Sequence, residues 1–570
     1  MRLESEKGAV WVPASCLEIL PMQPVKIPLN STQTSDMISA ALRSPGDNAR
    51  LIVGEGLKSL GISGGDGRAN FVSTILITLS NVTVTDRLQE GIGFNINTSL
   101  VEFIARILPS PRLSYDSKIQ PTIKDASWHL KQAPLVRGKE IAEWPLFQGK
   151  VIAPWLEVIY LRNSNFCEPE KLGKALQQHL TNYGIKITNA FDPEQCVHQI
   201  KWAADITLRT AVADGFNKVL QDSMVLVILP NDYKELYSTV KREGDSRGIL
   251  NVCCLQGKYG TLPLPPMAQK LSNLALKFNL KHGKDTHRIE GGILRKTEDT
   301  IVMGADVGHP PIGGADGSPS IAAVVGSLNH HMMNYPGSVR LQAGGQEIIG
   351  DLKGMVSERL QAWNSENGKF PTRVLFYRDG VSDSQFKQVK DMEINAIRTA
   401  YKEVTGNPAS SLELTFVVVG KRHHTRFYAK DHIGSYKDNK SGAVNGNLRP
   451  GLVVDQVVTL PGQDNFFLQS HAAVKGTARS KKQPTSYATP SVAQPKVFRT
   501  ALPRTLRIAS ANVGDVTCDL GSRIQSLSCP FSRSKLGGTM TLKEVVEYPR
   551  AVPKRQKTTL KIFRSLTKMG

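Results

Sequence analysis

Two hydrophobic periods alternate along this chain, and the places where one gives way to the other outline its organisation. Between residues 148 and 290 the pattern predicts a regular exchange of strands and helices. "KVIAPWLEVIYL" (150–161) reads as a strand, "CEPEKLGKALQQHLTNYG" (167–184) as a helix and "CVHQIKWAADITLRTAVADGFNK" (196–218) as a second helix. "SMVLVILP" (223–230) is a short apolar run closed by a turn, as expected of a parallel strand buried on both faces. A helix over "DYKELYSTVKREGDSRG" (232–248) and a strand in "ILNVCCL" (249–255) follow. "PPMAQKLSNLALKFNLKHG" (265–283) has Pro at the start of a helix and Gly past its end. Together these predict one doubly wound α/β domain.

A second α/β block opens at "TIVMGADVGHP" (300–310), a strand ending in Asp306, and continues with strands in "SIAAVVGSL" (320–328) and "SVRLQ" (338–342). In "EIIGDLKGMVSERLQAW" (347–363) the apolar residues keep helical spacing, with Glu347 at the helix start. "TRVLFYRDGVS" (372–382) predicts a strand ending at Asp379, "QFKQVKDMEINAIRTAYKEV" (385–404) a helix, and "ELTFVVVGKRHHTRFY" (413–428) a strand entering a basic turn. The first 140 residues are less regular. They suggest a strand and loop over 10–27, short helices over 35–44 and 48–62, and β-branched strands over 70–86. After Arg479, in "GTARSKKQPTSYATP" (476–490), the period is lost.

Charge changes this picture of an ordinary α/β protein. A net charge of +21 and a pI near 9.6 point to a polyanionic partner, nucleic acid before acidic membrane. A basic surface with no partner is the alternative. More than half of the excess lies beyond Arg479. Seven cysteines without a CxxC pair argue against a disulfide framework and a zinc module. The N-terminus lacks the apolar core of a secretory signal, and no apolar run approaches the roughly 18 residues of a membrane span. A soluble protein of the cytoplasm or nucleus is expected.

Three groups of residues suggest chemistry. Tyr237 and Lys241 stand four apart on one helix, as do Lys277 and Lys281 on another, so each pair shares a face. Lysines and a phenol that converge suit a terminal phosphate, although spacing alone more often marks a solvated lysine face. Asp306, Glu347 and Asp379 are hard oxygen ligands of the type that hold Mg²⁺ or Mn²⁺, two of which can activate water against a phosphodiester. Taken singly, an Asp at a strand end is more often a turn or cap residue. "GKRHHTRF" and "HAAVKGTAR" gather Lys, Arg and His suited to backbone phosphates. Zinc at His423 and His424 is the other reading, disfavoured by the lack of spaced Cys or His partners.

The strings "GADVGHP", "GGQEIIGDL", "FYRDGVSDSQF", "KRHHTRF" and "HAAVKGTAR", in this order and spacing, resemble those of eukaryotic Argonaute proteins, and the resemblance covers nearly everything to Arg479. It implies the end of a PAZ domain over 1–30, a second linker over 31–145 and a Rossmann-like MID domain over 146–290. An incomplete PIWI domain of RNase H-like fold would occupy 291–479. It further implies a small guide RNA whose 5′ phosphate meets Tyr237, Lys241, Lys277 and Lys281, a target RNA, and protein partners in a silencing complex, with no membrane. Cys253 stands where the family commonly has a glutamine in that pocket. Asp306, Glu347 and Asp379 match three of four metal-binding catalytic residues, and Lys482 falls where the fourth, a histidine, is expected. Guide binding in RNA interference is therefore the leading expectation. A metal-dependent slicer working through three carboxylates, and a non-functional fragment or mis-predicted product, are the alternatives. Shifted by one base, codons permitted for Pro490–Arg499 can spell the "FGRATK" of Argonaute C-termini, so 480–570 is expected to be an unrelated basic tail from a frame shift or mis-splicing.

Overall fold

A computed structural model describes residues 2–5, 8–11, 31–56, 62–63, 68–71, 96–97, 99–115, 121–123 and, with short breaks, 152–488. The expected tail beyond Ala488 lies outside the described residues, as do the loop expected after Trp11 and most of the β-branched run over 70–86. Near the N-terminus, Arg2–Ser5 and Gly8–Trp11 form a hairpin. Helices α1 (Ser31–Ala41) and α2 (Pro45–Leu51) follow, the second capped by the Ser44 hydroxyl accepting from Asp47 N–H.

The first α/β unit is built on four parallel strands: β1 (Leu156–Leu161), β2 (Val197–Ile200), β3 (Met224–Leu229) and β4 (Asn251–Leu255), in the order β2-β1-β3-β4. Strand β3 is buried throughout because its two faces serve two cores. Met224, Leu226 and Ile228 meet α3 (Pro169–Asn182) and α6 (Leu264–Lys281). Val225, Val227 and Leu229 meet α4 (Leu208–Asn217) and α5 (Lys234–Arg247). In α3, Leu172, Leu176 and Leu180 recur every four residues on the buried face, and Gly173 lies so close to the Phe191 ring that a Cβ would come within 2.2 Å of it.

The helix predicted over 196–218 is only half right. Val197–Ile200 extends the sheet as β2, and the helix begins at Leu208 under a Thr207 cap. Val197 and Ile200, three apart, match the helical period, but in the strand they face opposite cores. Pairing with the free edge of β1 decides the matter, reinforced by His198 Nε2 at 2.6 Å from the buried Glu157 carboxylate.

The second unit carries a nine-stranded mixed sheet. Its strands are β5 (Thr300–Gly308), β6 (Ser320–Gly326), β7 (Gly337–Gln342), β8 (Arg373–Asp379), β9 (Glu413–Val419), β10 (Leu452–Val454), β11 (Asn465–Leu468) and β12 (Lys481–Ala488), plus Arg106–Ile107. The order is β7-β6-β5-β8-β9-β12-β11-β10 and then Arg106–Ile107, with β5, β8 and β9 parallel. Helices α7 (Leu352–Asn367) and α8 (Phe386–Thr405) cover one face, burying Trp363, Ile397 and Tyr401 against Phe376 and Phe416, whose rings stack at 5.2 Å. Asp306 falls two residues before the end of β5 rather than at it. Glu347 does not start a helix: Gly350 and the Asp351 N-cap delay α7 to Leu352, leaving Glu347 in the preceding turn. Strand β12 carries ordered pairing beyond Arg479 and joins β9 to β11, so the sheet reaches past the point where the sequence period fades.

The two units meet where Asp285, just after α6, accepts from His331 and Asn334 in the β6–β7 turn. Nearby, His287 lies 5.7 Å from the Tyr115 ring, and burial pushes its pKa down to about 4. The unfolded chain therefore takes up this proton near the usual histidine value while the native chain resists it. Stability from this group is present above pH ~6.5 and falls as pH drops towards 4, by roughly 3 kcal/mol at full extent. Denaturant titrations of wild type and His287→Phe across this window should show a shallower acid slope in the variant. Equal slopes would exclude His287 as the source.

Candidate active site and phosphate pocket

Arg378 occupies the last interior position of β8, with no exposed surface. Its Nε lies 3.1 Å from both carboxylate oxygens of the buried Glu393 on α8. Nη1 donates to the Asp379 carbonyl and Nη2 to the Glu347 carbonyl, and Nη2 stands 2.9 Å from Glu347 Oε1. The Glu393 Oε1 atom also accepts from Ile349 N–H at 3.4 Å. One guanidinium and one carboxylate thus bind the turn bearing Glu347 to the end of the strand bearing Asp379. Burial raises the Glu393 pKa, with Arg378 opposing that rise.

Of the three predicted carboxylates, Asp306 and Glu347 come together over Gly380, with Asp379 the residue before it. Gly380 has φ +87°, and a Cβ there would lie 3.3 Å from Asp306 Oδ1 and 3.4 Å from Glu347 Oε1. Asp379 precedes it and accepts from the Gly380 N–H at 2.9 Å; Asp306 accepts from Val307 N–H at 2.9 Å. His309 Nε2 contacts Glu347 Oε2 at 2.8 Å, and its Nδ1 faces the Ser320 hydroxyl at 2.9 Å. Glu347 Oε1 is buried with no hydrogen bond despite its ion pair to Arg378, an open acceptor of the kind a hard cation takes. Among the described residues, no three His, Cys, Asp or Glu side chains yet close on a single ion position. The donor chemistry fits a divalent cation, and Asp306 with Glu347 forms its nearest half.

The residues expected to form a phosphate pocket are divided between two elements. Tyr237 and Lys241 share α5, with the ammonium 5.7 Å from the ring centroid. Lys277 is exposed and Lys281 half-buried on α6, which packs on the opposite sheet face. Lys241 is buried, its Nζ bonded to the carbonyl and side-chain oxygens of Asn251 at 3.0 and 2.5 Å. Cys253 is partly buried in the α4–α5 core.

The basic turn and the Gly-containing loop pack as one layer. His423 donates to the Ser480 carbonyl, and Asn447 spans the loop through Ala473 O, Gly476 O and Ala478 N–H. Gly476 has φ +66°, and a Cβ there would meet Leu42 at 2.9 Å. Thr477 donates to Arg43 O, so the end of α1 bears on this loop. Lys482 lies in β12 opposite Phe467.

Residues 224–488 match the family model of the Piwi domain, beginning inside the first α/β unit. The chain is 29% identical over 500 residues to protein argonaute 5 of Arabidopsis thaliana, covering 83% of this chain and 45% of that protein. It is 32% identical over 431 residues to protein argonaute 1C of Oryza sativa subsp. japonica, covering 70% of this chain and 40% of that one. The chain belongs to the Argonaute family. Its fold also matches the structure of Kluyveromyces polysporus Argonaute with a guide RNA, at TM-score 0.63 and 21% identity over 88% of this chain and 58% of that chain. The C-terminal lobe of a budding yeast Argonaute matches at TM-score 0.59 and 21% identity, over 76% of this chain and 91% of that one. The nine-stranded sheet with α7 and α8 is the RNase H-like core of an Argonaute Piwi domain. The chain spans less than half the length of these plant relatives.

Sequence reasoning singled out neither Arg378 nor Glu393. The signals were present: an arginine inside the apolar run "VLFYRD", and Glu393 four residues from Val389 and from Ile397 on the buried face of α8. Glu393→Ala should destabilise the protein by about 3–5 kcal/mol, since it removes the carboxylate that pairs with Nε of a buried guanidinium and leaves Glu347 as its counter-charge. Replacing both Arg378 and Glu393 by Met should recover most of that loss in chemical denaturation. A double variant as unstable as the single one would contradict this account.

Proposed function

We propose that this chain binds a small guide RNA and acts in RNA-guided gene silencing. The observation that carries the reading is an RNase H-like Piwi core, adjoined by a doubly wound unit with Tyr237, Lys241, Lys277 and Lys281 on its two α-layers. The guide's 5′ phosphate would meet the lysines through charge-assisted hydrogen bonds, with Tyr237 offering a ring face to the terminal base. The basic turn at His423–Arg426 and the loop at Ala473–Ala478 would follow the backbone, with the target RNA paired to the guide beside them. Protein partners of a silencing complex belong to the same reading, in the cytoplasm or nucleus.

RNA from a matched pair of guides, with and without a 5′ phosphate, tests this by filter binding. The phosphorylated guide should bind more tightly, and Lys277→Ala with Lys281→Ala should lower affinity by about tenfold. Equal binding of both guides would refute phosphate recognition.

A second reading, cleavage of the target, is favoured by the meeting of Asp306 and Glu347 over Gly380. Asp306, Glu347 and Asp379 would hold Mg²⁺ or Mn²⁺, which when bound supplies charge stabilisation and an activated water. Arg378 would keep the Glu347 turn in register with Asp379, while His309 orients the Glu347 carboxylate. Lys482, at the position matched to the family's histidine, adds a positive charge in place of a ligand. A guided, Mg²⁺-dependent cut that vanishes in Asp379→Ala would establish slicing. No cut with a bound guide would leave silencing by binding alone.

A further inference from the structure

Lys241 is in an unusual electrostatic position. Its side chain is 4% exposed, and among the described residues it forms no ion pair. Two of its three donors go to one neutral residue, Asn251, and the Tyr237 ring lies to one side. A buried ammonium faced only by neutral acceptors lacks the counter-charge that would offset its desolvation. It is an anion-seeking group held on a substitute.

The substitute is itself fixed. Asn251 is 2% exposed at the first position of β4, and its Nδ2 donates to Ile249 O at 3.2 Å. That nitrogen occupies the space where Gly244 lacks a side chain: a Cβ there would stand 2.2 Å away. With the amide nitrogen committed, Oδ1 must face Lys241, because a flipped amide would set its NH₂ against the ammonium. The location matters as well. In a parallel α/β sheet, ligands gather beyond the C-terminal strand ends, whereas Asn251 is at the N-terminal end of its strand. Tyr237, one helical turn earlier on α5, is nearer the ligand end. Lys241 is therefore held back from the place where a phosphate would be met.

We infer that Asn251 competes with the guide's terminal phosphate for Lys241, and so sets how much the 5′ phosphate contributes to guide affinity. This rests on the guide-binding reading above. A phosphate carrying between one and two negative charges outbids a neutral amide, but binding must first break two hydrogen bonds to Asn251.

The test uses the full chain and two RNA guides of one sequence, bearing a 5′ monophosphate or a 5′ hydroxyl. The readout is the ratio of their dissociation constants. Asn251→Ala removes the Oδ1 acceptor while the residue 251 carbonyl stays, so it should loosen Lys241 and raise the ratio by about three- to tenfold, the weight of one hydrogen bond. Asn251→Asp, of the same shape, should pair with Lys241 outright and lower the ratio. Adding Lys241→Met to Asn251→Ala should cancel the gain. A wild-type ratio above one that neither Asn251 variant changes would overturn the inference and leave guide binding intact. A ratio of one in every protein would overturn both. Should Asn251→Ala fail to fold, Asn251→Asp decides alone: an unchanged or raised ratio contradicts the competition.

Discussion

Arg378 is the constraint on which the geometry of the candidate active site depends. A guanidinium without exposed surface is tolerable only where acceptors surround it, and here they come from three separate segments. Glu393 reaches it from α8, the Asp379 carbonyl from its own strand end, and Glu347 from the turn before α7. Satisfying one buried charge therefore sets the relation between two carboxylates 32 positions apart. The raised pKa of Glu393 reflects the same compromise, since burial works against its charge while Arg378 works for it. The position of Asp306 follows from the sheet: β5 and β8 are parallel neighbours, so residues near their C-terminal ends adjoin.

A similar logic joins the rest of the surface a nucleic acid would follow. Asn447 fills the gap beneath the Ala473–Ala478 loop, and the end of α1 presses on Gly476 and Thr477. His423 secures the basic turn to Ser480, immediately before β12. Since β12 lies between β9 and β11, the final described strand holds the two halves of the sheet together. Basic residues of this surface thus lie within the described chain, at the turn from His423 and the loop from Ala473.

Much of this was legible in the sequence because apolar periodicity in α/β units is a strong signal. The strands at Met224, Thr300, Arg373 and Glu413, and helices α3, α5, α6 and α8, follow directly from it. What escaped was decided by tertiary partners. Val197–Ile200 became a strand because β1 offered an edge, and Glu347 stayed out of its helix because Gly350 and Asp351 set the cap later. Motif spacing pointed to the carboxylates as candidates, yet it could not reveal Arg378 and Glu393, whose roles depend on burial and mutual charge. Nor could it show that Lys241, read as a phosphate ligand, is held by Asn251, a contact between residues ten apart made possible by Gly244.

The most direct test of the central claim is the RNA that copurifies with the intact chain. If the chain is a guide-binding Argonaute, the extracted RNA should be a narrow length class carrying 5′ monophosphates, protected from nuclease while the protein is folded. RNA of mixed length without a common 5′ end, or no retained RNA, would contradict it.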